Sequence, residues 1–289
     1  SPLFDGVVGK GISQSGGGGA SMMDAIPLKE GEALGLEFQK LAGCSSLPEL
    51  RSLPAEKLME TVGKLGFGAI RFGTVIDQYL CFGDTSEMLR SGQARDIPLI
   101  MGCCSHEGGQ MGMLTPGQKA DLAFIRGQIQ RSFPLDAEKM QDIYGIHTEE
   151  DAAAFDRDLM ADGMVYGYQL WARSQNKAGK QPPYVYCFDR ALPDADGNPS
   201  EEGAFHSAEL WYVHGTLERC WRKMGEIDFR ISEAMLDYWT NFAKSGNPNG
   251  PNLPEWTPYT CQDPQIMIFG NSIGVQTMED HPAVKVFYK

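Results

Sequence analysis

The run Ile97-Pro-Leu-Ile-Met-Gly-Cys103 constrains the fold more than any other stretch of this chain. It is continuously apolar and bounded by polar loops, with Ser105-His106-Glu107 following it. A strand without a polar face has to be covered on both sides, and sheets covered in that way are mostly parallel. Pro183-Tyr-Val-Tyr-Cys-Phe-Asp189 reads as a second strand on its β-branched and aromatic content. Between the two, residues 116–133 and 149–177 carry apolar residues at three-and-four spacing, with breaks expected near Pro134 and Gly163. Strands separated by helices give an α/β fold with a largely parallel sheet.

The other segments fit that frame. Gly6 to Ser15 reads as a short buried strand running into Gly16–Gly19, where four glycines forbid a regular element. A phosphate loop is excluded, because Ala20-Ser21 follows where Gly-Lys-Ser/Thr would be needed. Residues 30–41 and 55–65 read as helices, the second started by Pro54, and residues 68–76 as a strand. The Pro-, Asp- and Gly-rich stretch 192–203 reads as a surface loop, and Asp194-Ala-Asp-Gly-Asn198 as a turn, since a calcium loop needs other offsets. Residues 231–244 form a helix ended by Gly246 with Pro248 beyond, and residues 265–269 and 284–288 read as late strands. With no repeats and no long interior linker, residues 1–289 read as part of one domain.

A net charge of −13 excludes a nucleic acid or an anionic membrane as partner, since each needs a basic face. No apolar run reaches the roughly 18 residues of a membrane span. Seven cysteines without a C-x-x-C suggest buried thiols in a reducing, cytoplasmic compartment. Secretion with one or two disulfides is the alternative.

In a parallel sheet, functional groups gather in the loops that leave the carboxyl ends of strands. Two such loops stand out: Ser105-His106-Glu107-Gly108-Gly109 after the first strand, and Gly203-Ala-Phe-His206-Ser-Ala-Glu209-Leu-Trp-Tyr after the second. An acid followed by a histidine in that order is the arrangement of the two partners of a hydrolytic serine. The carboxylate fixes the imidazole tautomer and stabilises the imidazolium formed on proton transfer.

The residues also carry a resemblance. Gly9-Lys-Gly-Ile-Ser-Gln-Ser-Gly16, Ile97–Gly102 with Glu107-Gly108, Phe205–Gly215, Tyr238–Asn249 and Leu253–Tyr259 occur in the order and spacing of a type B carboxylesterase. The chain resembles the C-terminal part of that family, the cholinesterase-like branch of the α/β-hydrolases. The resemblance implies an α/β-hydrolase fold, of which this chain supplies the C-terminal portion of the central sheet, flanking helices and a helical insertion between the acid and histidine loops. It further implies Glu107 as the triad acid, His206 as the general base, and Ser15 and Glu209 as buried polar support. Phe205 and Trp211 are candidates for lining the substrate cleft, with packing in the core the equal alternative for Trp211. The expected substrate is a small or aryl carboxylic ester, and no metal or organic cofactor is required.

Departures from the pattern are equally informative. No Gly-x-Ser-x-Gly elbow precedes the acid and the histidine, where the order Ser, acid, His requires it, and there is no Gly-rich oxyanion segment; Gly270-Asn-Ser272-Ile-Gly274 has the spacing but follows both. Gly11-Ile-Ser13-Gln-Ser15 lacks the closing glycine and lies on the wrong strand, so Ser13 is not read as the nucleophile. The expectation is therefore that the polypeptide begins just downstream of the nucleophile and that an N-terminal piece of the same esterase supplies it. Asp77-Gln78 stands where many relatives have Asp-Gly, and His106 where they often have Asp. Ser174-x-x-Lys177 matches a different serine chemistry but lacks its companion motifs, and reads as solvated helix surface. A serine-less adhesion or binding domain is the rival reading, against which an intact Glu107 and His206 argue.

Overall fold

The computed structural model describes residues 1–16, 25–65, 73–93, 95–108, 121–133, 137–155 and 159–287. Two compact units are present, Ser1–Val7 with Met23–Glu87 and Val8–Met22 with Met88–Lys289.

The larger unit is built on a five-stranded sheet in the spatial order Gly11–Gln14, Leu99–Cys104, Tyr184–Phe188, Gln265–Phe269, Ile273–Thr277. The first four strands pair in parallel and the last is antiparallel to its neighbour. All six residues of Leu99–Cys104 are buried, as its unbroken apolar sequence requires. Gly102 lies opposite Tyr186, and a Cβ there would come within 2.2 Å of the Tyr186 carbonyl oxygen. Only glycine lets these two strands approach so closely.

One face of the sheet packs on the helix Glu226–Ser245 through an aromatic cluster of Tyr186, Tyr238, Trp239, Trp256 and Phe269. The other face, with Met101 and Val185, packs on the helix Leu159–Lys177. That helix closes a run of four, after Leu122–Ser132, Ala137–Tyr144 and Glu149–Ala154, all between the acid loop and the second central strand. The expected helical insertion is therefore present.

Several expectations are corrected. Residues 159–177 form a helix that continues through Gly163, which is buried within it. Ser174 of the same helix is only 2% exposed, so it is not solvated surface. Residues 282–287 form a helix rather than a strand: Pro282 is preset for the first turn, and the His281 ring accepts the Ala283 N–H. The strand Ile273–Thr277, unanticipated, forms a hairpin with Gln265–Phe269. The first strand is shorter than expected, Gly11–Gln14, and only partly buried, because among the described residues it pairs on one side alone. Ile12 is 39% exposed there. The 68–76 reading lies largely outside the described residues, with Val75–Ile76 as its described strand. Gly17–Gly19, most of the predicted Gly-rich break, and residues 116–120 of the predicted 116–133 helix also lie outside them.

The helices at 28–41 and 55–65 of the smaller unit stand close to the predicted bounds, beside a parallel pair formed by Ile26–Pro27 and Val75–Ile76. Asp77 there accepts the N–H groups of Tyr79, Leu80 and Cys81, and Gln78 takes a left-handed φ of 58°. Glycine would hold that conformation without strain, which accounts physically for the Asp-Gly pattern of the resemblance. All seven cysteines are unpaired, Cys103 and Cys104 being buried.

Candidate active site

Three loops leave the carboxyl ends of the parallel strands Gly11–Gln14, Leu99–Cys104 and Tyr184–Phe188 and meet at one edge of the sheet. Backbone pairing brings the last two together. Ser105 N–H donates to the Phe188 carbonyl and His106 N–H to the Ala204 carbonyl, so His106 and Phe205 form a parallel bridge beyond the strand ends. Gly203, at φ +64°, lies against the His106 ring, where a Cβ would come within 2.9 Å. A residue of any other type would be strained at this φ and would have to displace the His106 ring.

Carried by these loops, Glu107 Oε2 lies 2.5 Å from His206 Nδ1. The second oxygen of Glu107 accepts the Ser15 hydroxyl at 2.6 Å and the Cys104 N–H at 2.7 Å. A fully buried carboxylate is thus supplied with donors on both oxygens, as burial demands. Because Nδ1 donates to Glu107, Nε2 carries the lone pair, a tautomer assigned from the hydrogen-bond network. The His206 side chain is 37% exposed, and among the described residues Nε2 has no hydrogen-bond partner. The imidazole is held from behind and open in front.

Two residues bend the backbone to achieve this. Ser15 (φ 52°) follows the edge strand and Ser207 (φ 71°) follows His206, both in the left-handed region. Such positions cost on the order of 1–3 kcal/mol each and persist where the surroundings enforce them. At Ser15 the enforcement is visible: its N–H donates to the Gly102 carbonyl while its hydroxyl reaches Glu107.

The structure brings together all four polar residues singled out in the sequence. Glu209 is buried, accepting from the Gln14 amide at 3.1 Å and the Cys104 thiol at 3.0 Å. Phe205 is buried, and the Arg222 guanidinium lies over its ring and over that of Trp221. Trp211 is partly buried against the aromatic core.

Other contributors were not evident in the sequence. Gln14, Cys104 and Trp239 join Glu209 in one part-buried network, Trp239 Nε1 donating to the Gln14 amide oxygen at 3.2 Å. The adjacency of Gln14 to Ser15 was the available signal. Asp228 is a second hub, taking Arg190, Tyr212 Oη and the Gly225 N–H. Burial alone would raise its carboxyl. The bonds from Arg190, Gly225 and Tyr212 override that and hold it below its ordinary value. Asp228 thereby locks the helix after the histidine loop to the start of Glu226–Ser245. Arg222 does the same for the loop before it, bonding the Pro193 carbonyl and Glu202.

A profile of the carboxylesterase family matches residues 1–285. The chain is 25% identical over 304 residues to the liver carboxylesterase of Sus scrofa, covering 94% of this chain and 53% of that protein. It is 27% identical over 300 residues to carboxylesterase 5A of Felis catus, covering 95% and 53%. The chain thus spans about half the length of the curated relatives it matches. In structure it resembles a PNB esterase with a TM-score of 0.77 at 22% identity, over 100% of this chain and 59% of the other. A Geobacillus stearothermophilus carboxylesterase superposes with a TM-score of 0.73 at 24% identity, over 96% and 57%. These likenesses establish the α/β-hydrolase fold. With the family profile spanning nearly its whole length, the chain belongs to the carboxylesterase family.

Proposed function

We propose that this chain supplies the acid and the base of a Ser–Glu–His carboxylic ester hydrolase. The observation that carries the reading is the buried Glu107 bound to Nδ1 of a His206 whose Nε2 faces outward. The serine and the oxyanion donors come from an N-terminal segment of the same enzyme. Among the described residues the edge at Gly11–Gln14 is half-unpaired, with Ile12 exposed, which suits a neighbouring strand from that segment.

In this reading His206 Nε2 takes the serine proton as the oxygen attacks the ester carbonyl. Glu107 stabilises the resulting imidazolium, and the same proton is delivered to the departing alcohol. Water then enters by the same route: His206 deprotonates it, it attacks the acyl-enzyme, and the serine recovers its proton from His206. The substrate is a small or aryl ester with an apolar part, and none of these steps calls for a metal or organic cofactor.

The test uses the assembled enzyme and a chromogenic short-chain ester. His206→Ala should lower turnover by about 10⁴-fold or more, as removal of a triad base does. Turnover near that of the unmodified protein would sink the assignment.

A further inference from the structure

Cys104 ends the central strand with two donors aimed at two different buried carboxylates. Its N–H reaches Glu107 Oε1 at 2.7 Å and its thiol reaches Glu209 Oε2 at 3.0 Å. The other oxygen of Glu209 takes the Gln14 amide, which is itself held by the Trp239 indole. Glu209 lies three residues beyond His206, at the head of the short helix Leu210–Val213. The histidine loop is therefore tied to the acid-bearing segment on both sides of His206. Before it, the His106 N–H donates to the Ala204 carbonyl; at it stands the Glu107–His206 bond itself. After it, a further tie runs around the loop, from Glu209 back to Cys104.

We propose that Cys104 is a positioning residue, its thiol donating to Glu209 so that the loop carrying His206 stays in register with Glu107. This rests on the reading that Glu107 and His206 act together in ester hydrolysis. Burial, and after it the charge of Glu209, pushes the thiol well above its usual range, so it remains a donor across the working pH. Without that donor, Glu209 is a buried carboxylate with a bare oxygen, and relieving it requires the 206–209 segment to move. A shift there displaces His206 from the acid while leaving any substrate-binding surface elsewhere intact.

The role belongs to the hydrogen, not to the volume of the side chain. In the assembled enzyme, Cys104→Ala should lower kcat by about tenfold with KM nearly unchanged, the size of effect expected for a lost bond to a charged group. Cys104→Ser restores a donor and should return kcat to within about twofold of the original on the same argument. Cys104→Val fills the space without donating and should remain impaired. Full kcat in Cys104→Ala, or recovery in Cys104→Val but not in Cys104→Ser, would overturn the proposal in favour of simple packing. His206→Ala measured alongside separates the two levels. Its inactivity upholds the underlying reading whatever the Cys104 variants do, and its activity removes both.

Discussion

Among the described residues of the larger unit, two histidines are hydrogen-bonded to a carboxylate, and the two pairs are opposites. At the sheet edge, Glu107 takes Nδ1 of His206 and leaves Nε2 outward, with the ring 37% exposed. In the helical insertion, Asp162 takes Nε2 of His281 at 2.8 Å, and the Ala283 N–H donates to Nδ1 at 3.1 Å. His281 is 4% exposed and lies among the rings of Phe133, Tyr144 and Tyr166. Tyr144 adds a further bond to Asp162. Both nitrogens of His281 are occupied by the fold, so the imidazole caps a helix and has no capacity left for a reacting group. A carboxylate beside a histidine is therefore not a site by itself. What distinguishes His206 is an unused nitrogen facing out of the structure.

Substitutions at matching positions break the comparison most sharply. Glu107→Gln should cost about 10⁴-fold in turnover, because the amide no longer fixes the correct tautomer. Asp162→Ala should leave the turnover of folded enzyme unchanged but destabilise the protein by about 3 kcal/mol, as loss of one member of a buried pair does. Denaturant unfolding alongside an ester assay measures both. If Asp162→Ala removes activity from folded protein, the division between working and structural histidine fails. Ser15→Ala is the finer probe. Glu107 would keep its Cys104 donor and lose the hydroxyl, so kcat should fall about tenfold with little change in KM. An unchanged kcat would mean that Ser15 serves only to turn the chain.

How much of this could be read from the sequence depended on how far apart the cooperating residues lie. The covered central strand was legible because its apolar run admits few other solutions, and Glu107 and His206 because each follows such a strand. The hub at Asp228 was not, since its partners Arg190 and Tyr212 come from separate elements and none carries a motif. Cys104 was hidden differently: in an apolar run a cysteine reads as filler, and only the fold shows its hydrogen aimed at Glu209. At the C-terminal end, local propensity misled. Val284 and Val286 suggested a strand, but Pro282 and the His281 ring start a helix that buries Ala283 and Val284 against the insertion. The exposure of Gly11–Gln14 is likewise a property of sheet position, and strand sequence encodes it poorly.

The central claim is that the two pairs hold their histidines in opposite tautomers. Nitrogen-15 NMR of the imidazoles in the assembled enzyme, at a pH where both rings are neutral, tests it directly. His206, identified by its loss in His206→Ala, should show a protonated Nδ1 and an unprotonated Nε2, while His281 should show the reverse. A protonated Nε2 on neutral His206 would contradict the account, because that nitrogen could not then accept a proton.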